Sequence, residues 1–157
     1  MSSEHLTHLL AQETELQFAY FNNEAAWKLG YAIKQATEKI SASVAIEIYA
    51  FEQVLFSYAM PETNKDHQDW VRRKRQSVLR YGHSSYYLGQ YNASKLREFE
   101  SQVHIDVREY CAHGGSFPIR IKGSGLVGAI TVSGLPQVDD HILVINTLRE
   151  YFAPSMS

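Results

Sequence analysis

The sequence predicts an α+β fold, a central antiparallel β-sheet flanked by helices, and three observations carry that expectation. "SVAIEIYA" and "VLFSYAM" are apolar, strand-like runs that follow one another across the short link Phe51-Glu52-Gln53. "SFPIRIK" and "LVGAITVSG" are joined by Gly123-Ser124-Gly125, a glycine-rich turn that favours an antiparallel hairpin. Around these pairs, apolar residues recur at helical spacing. The order is therefore two helices, two strands, a helical middle, two strands and a helix.

Taken in turn, residues from about Ser3 to Glu13 form a short helix with Leu6, Leu9 and Leu10 on one side. Asn22 or Asn23 caps a second helix that aligns Ala26, Leu29, Ile33, Ala36 and Ile40. The first strand sets Val44, Ile46 and Ile48 against Ala45, Glu47 and Tyr49, and Pro61 ends the second. A third helix spans about Asp66 to Tyr81, where Gly82 terminates it. Ser84 to Glu109 reads as short helical pieces between polar breaks. Gly128 inside the last strand predicts a bulge or a close backbone approach. Pro136 belongs to the first turn of the final helix, with Asp139 and Asp140 at its positive end and Ile142, Ile145, Leu148 and Phe152 along one side.

A chain of 157 residues is most simply one domain, 1–157, with the helix at about 3–13 at its periphery. A net charge of −2 gives no global electrostatic reason to bind nucleic acid or a membrane surface. The single cysteine, Cys111, excludes an intramolecular disulfide framework and suits a reducing compartment. No apolar run approaches the roughly 20 residues of a membrane-spanning helix. No secretion signal is visible, so a cytoplasmic location is expected.

Several residues invite chemistry. On the third helix Trp70, Val71, Val78 and Tyr81 share an apolar arc of about 100°. Lys74 projects into its middle. It snorkels to the edge of the packed surface, or the face is only half buried, or it faces a cavity or subunit interface as a cation paired with a carboxylate or an anionic ligand. Arg72, Arg73, Arg75 and Arg80 occupy much of the opposite side; in an acidic chain they read as a solvated face or one paired with Glu and Asp. With no helix-turn-helix or RNA-binding signature, no nucleic-acid partner is expected. In "YGHSSYYLGQY", His83 beside Ser84 and Ser85 suggests covalent catalysis, but there is no G-x-S-x-G elbow, and capping explains the serines equally well. The tyrosines suit an interface or a planar ligand. Cys111-Ala112-His113 lacks a second pair at zinc-finger spacing, so no metal site is expected. A single histidine can still serve as an axial haem ligand. At the mouth of the hairpin, His113-Gly114-Gly115-Ser116 has two readings. Its glycines either bring backbone N–H groups up to a ligand or only break the preceding helix and start the strand.

Two blocks, "WVRRKRQSVLRYGHSSYY" at Trp70–Tyr87 and "HGGSFPI…GLVGAITVSGLPQVDDH" at His113–His141, resemble the UPF0303 group within the GlcG/HbpS-like superfamily, also known as DUF336. The resemblance covers most of the chain. It implies a profilin-like α+β fold, homo-oligomers, and an association with haem binding or haem degradation. No residue matches an established haem-ligand motif, so His83 and His113 enter on their chemistry. Haem propionates could use Lys74, Arg75 or the Gly114-Gly115 amides. The expected ligand-binding set is Lys74, Arg75, His83, Ser84, His113, Gly114, Gly115 and Ser116. Three functions stay open: an oligomeric binding protein for haem or another planar or anionic ligand, an interaction protein docking others through its assembled surface, and a haem-degrading or cofactor-free enzyme at a subunit boundary.

Overall fold

A computed structural model describes residues 3–154; positions 1–2 and 155–157 of the expected domain lie outside the described residues. Four strands form one antiparallel sheet in the order β2-β1-β4-β3. They are β1 (Ala45–Ala50), β2 (Gln53–Ala59), β3 (Ser116–Ile121) and β4 (Gly125–Ser133). The helices are α1 (Ser3–Glu15), α2 (Asn23–Lys39), α3 (Lys65–Tyr81), α4 (Ser85–Ser94) and α5 (Gln137–Phe152). This is the expected α+β architecture.

Local chemistry explains most boundaries. Asn22 accepts the Ala25 N–H and starts α2, and Asn64 does the same for α3 through Asp66. Gly82 closes α3 in the left-handed conformation at φ 76°, which costs glycine nothing. Phe51 and Glu52 both have positive φ, so the β1–β2 link is a two-residue turn and Gln53 already belongs to β2. Pro136 sits at the N-cap of α5, one position before the first turn where the sequence places it.

Register puts Ile46 opposite Val132, and Ile130 between Ile48 and Phe117. That face of the sheet packs under Leu29 and Ile33 of α2 and Val144, Ile145 and Leu148 of α5 to make the main core. The other face carries Glu47, Thr131, Ser116 and Ser133, all buried, and α3 covers it. Two expected core residues differ: Ile40 is the C-cap of α2 and Ile142 lies on the outer side of α5, both exposed. The inner face of α5 instead includes Asp140 and His141. Gly128 marks a close approach, since a side chain there would strike the Tyr49 carbonyl. Helix α1 lies against α4, with Leu9, Gln12 and Glu13 buried. No helix among the described residues is long and apolar enough to cross a membrane.

Two candidate ligand clefts

Three of the expected site residues, Lys74, His113 and His83, line two separate clefts. The first is a polar cleft of about 270 Å³ between the first half of α3, the 113–116 segment and the start of α5. Lys74 and His113 both line it. Lys74 is 3% exposed and Asp140 1%, and the lysine ammonium bonds Asp140 Oδ2 at 3.1 Å and the Val132 carbonyl at 3.1 Å. So the lysine in the apolar arc does not snorkel; it is the paired cation. Asp140 also accepts the N–H groups of Gly134 at 3.4 Å and Leu135 at 3.0 Å. Burial pushes the Asp140 carboxyl above its usual range, against the pull of Lys74 and those two N–H groups.

Gly115 makes the pair fit. At φ 136° it occupies backbone space that side-chain-bearing residues rarely adopt, and a Cβ there would lie 2.5 Å from the Val132 carbonyl and 2.8 Å from Lys74 Nζ. The Gly114 N–H donates to Gln137 Oε1 at 3.0 Å, so that amide is already used rather than presented to a propionate. The Trp70 and His113 rings meet edge to face at 5.0 Å and wall one side of the cleft.

The second place is an aromatic cleft of about 350 Å³ under α4 and the 95–104 segment. Tyr81, Tyr87, Tyr91 and Phe99 line it, with Arg97, His83 and His104. His83 is partly exposed, and its Nδ1 lies 2.9 Å from Oε1 of Glu13, which is buried. The other oxygen of Glu13 accepts the Ser84 N–H at 3.1 Å. A carboxylate only accepts, so Nδ1 carries a proton, and in the neutral ring the lone pair belongs to Nε2. Tyr87 packs on the imidazole at 4.9 Å, and burial raises the Tyr87 hydroxyl pKa.

The remaining expected residues lie elsewhere. Arg75 pairs with Glu47 at 2.7 Å and stacks on Tyr49, on the sheet side of α3. Ser84 caps α4 by accepting the Tyr87 N–H, and Ser85 accepts the Ser116 N–H. With His83 turned to Glu13, no Ser–His pair forms. The Ser116 hydroxyl is buried against Thr131 at 2.8 Å. Arg72 and Arg73 are both held by Asp69, and Arg72 also reaches Glu109. Cys111 is a buried free thiol whose pKa is raised by burial.

Sequence reasoning missed Glu13, Asp140, Gln137 and His104. Two left a signal: Asp140 falls three and four residues before Leu143 and Val144, and Glu13 four after Leu9, so each belongs to a buried helix face. Their partners are 66 and 70 positions away, which no local pattern encodes.

Residues 21–149 match the family described as haem degrading protein HbpS-like. A UPF0303 protein of Psychromonas ingrahamii is 64% identical over 145 residues, 92% of this chain and 91% of that protein. Among solved structures, the Ybr137w protein superposes with a TM-score of 0.85 at 29% identity, covering 93% of this chain and 87% of its own. A PduOC:heme complex superposes with a TM-score of 0.67 at 13% identity, covering 83% and 93%. The last likeness is one of fold.

Proposed function

The chain belongs to the HbpS-like family, and from that premise we propose that it is an oligomeric small-ligand-binding protein whose ligand is haem, held in the aromatic cleft. The observation that carries this reading is the His83–Glu13 pair. A histidine whose Nδ1–H donates a hydrogen bond to a carboxylate presents Nε2 as an oriented lone pair, which is how metal-binding histidines are supported. Around it, Tyr87, Tyr91 and Phe99 offer flat faces to a macrocycle, and Arg97 offers a guanidinium to a propionate. Haem, when bound, supplies a redox-active iron; His83 would hold it and the tyrosines would limit access of water. The haem-bound state of PduOC supports the same ligand class on this fold.

Self-association is proposed from Trp27 and Tyr31 on α2 and Val54 and Tyr58 on the edge strand β2, exposed aromatic and apolar residues of the kind that interfaces bury. Light scattering checks it: a multiple of the chain mass is expected, and a monomer at micromolar concentration contradicts it. The ligand is tested by titrating the protein with hemin. A saturable Soret band that His83→Ala abolishes is the expected result. A band unchanged in His83→Ala, or lost only in His104→Ala, contradicts the assignment.

A further inference from the structure

The polar cleft is not used by the haem reading, yet its chemistry is specific. We propose that it binds a small organic carboxylate. Apart from Asp66, its internal hydrogen bonds engage acceptors and leave donors on Gln137, His67 and Lys74. Gln137 uses Oε1 to accept the Gly114 N–H, which leaves both of its amide N–H groups. His67 Nδ1 lies 3.1 Å from both the Asn64 N–H and Asn64 Oδ1. The backbone N–H can only donate, and Oδ1 already accepts from Asp66, so Nδ1 is the acceptor and Nε2 carries the proton. Asp140 and the Val132 carbonyl are taken by Lys74 and the Gly134 and Leu135 N–H groups. Lys74, with three N–H bonds and two partners, has one left at the cleft wall.

Helix α5 begins beside the cleft with no side chain capping its N-terminus, adding the positive end of its dipole. Asp66 is the opposing charge, and its Oδ2 is held by the Trp70 indole N–H at 3.2 Å. Because Lys74 and Asp140 are neutral as a pair and Asp66 adds a negative charge, attraction rests on directed N–H donors and not on surplus positive charge. That selects a carboxylate monoanion over a phosphate dianion. A volume of about 270 Å³ is just below the range of about 300–1,000 Å³ for drug-sized ligand pockets, and the Trp70–His113 wall suits a short carbon skeleton.

The test is a titration of isotope-labelled protein with sodium acetate, lactate and benzoate, and separately with inorganic phosphate, at fixed ionic strength and neutral pH. The side-chain N–H resonances of Trp70 and Gln137 report on the cleft, and Trp27 on α2 is the internal control. At least one carboxylate shifts Trp70 and Gln137 saturably and spares Trp27, while phosphate does not. Gln137→Glu keeps an acceptor for the Gly114 N–H but replaces the amide donors with an oxygen, so it weakens carboxylate binding about tenfold or more. No saturable shift with any carboxylate, equal shifts with phosphate, or unchanged affinity in Gln137→Glu overturns the proposal. Hemin binding to Gln137→Glu stays as in the unaltered protein, so failure here and failure of the haem reading are distinguishable.

Discussion

The two clefts place similar residue types, a nitrogen base beside a buried carboxylate and an aromatic wall, in opposite structural roles. In the polar cleft the charged pair Lys74–Asp140 is part of the packing between α3, α5 and the sheet, and Gly115 exists in the space beside it. In the aromatic cleft the pair His83–Glu13 ties α1 to the start of α4, and the histidine is partly exposed. One pair holds the fold and frames donors; the other lies outside the hydrophobic clusters and orients one ring. The difference teaches that buried charge marks architecture first, and that a half-exposed histidine with a buried partner is the better candidate ligand.

The largest effect is expected from breaking the architectural pair. Lys74→Met leaves the buried Asp140 carboxyl without its cation, with an expected loss of about 3–5 kcal/mol in urea denaturation. Adding Asp140→Leu restores much of that loss, because the stranded carboxyl is gone. A single variant as stable as the parent sinks the comparison.

Acid tests the seam between the clefts. His141 is buried, bonds Gln12 of α1 through Nε2 at 2.8 Å, stacks on Tyr86, and leaves Nδ1 without a partner. Burial lowers its pKa from 6.5 to about 4. The unfolded chain therefore binds this proton first. The stability is fully present above about pH 6.5, is lost as pH falls towards 4, and levels below that. At about 1.4 kcal/mol per unit the loss reaches roughly 3 kcal/mol. Urea midpoints measured across that range fall in the parent and flatten in His141→Gln; parallel curves contradict the assignment.

Gly115→Ala comes next, at about 2–3 kcal/mol, from a strained φ and a Cβ pressed against Val132 and Lys74. Thermal melting measures it. Smallest is Glu13→Gln, which keeps an oxygen acceptor near His83 and costs about 1 kcal/mol while lowering hemin affinity. Equal hemin affinity in that variant removes Glu13 from the account.

Much of the fold was legible in the sequence because its signals are local. The boundaries of α3 follow from a helical apolar arc and a terminating glycine, and the two hairpins from short links between strand-like runs. The errors have one cause. Ile40 and Ile142 are as apolar as their buried neighbours, and only the tertiary partner decides that Asp140 and His141 point inward instead. Lys74 stood out as a cation among apolar residues, but its carboxylate lies 66 positions on. His83 and His113 entered the expected ligand-binding set on their chemistry alone, with no spacing to say whether they share a pocket. The fold sends His83 beneath α4 and His113 against Trp70, a separation no spacing rule contains.

The most direct test is where the iron sits. Ferric hemin broadens nearby nuclear resonances, so spectra of the protein with one equivalent of hemin report its location. Broadening of Tyr87, Leu88 and Tyr91, with the side-chain N–H signals of Trp70 and Gln137 unaffected, is the predicted result. Broadening centred on Trp70 and His113, with the tyrosines of α4 spared, contradicts the assignment of the two clefts.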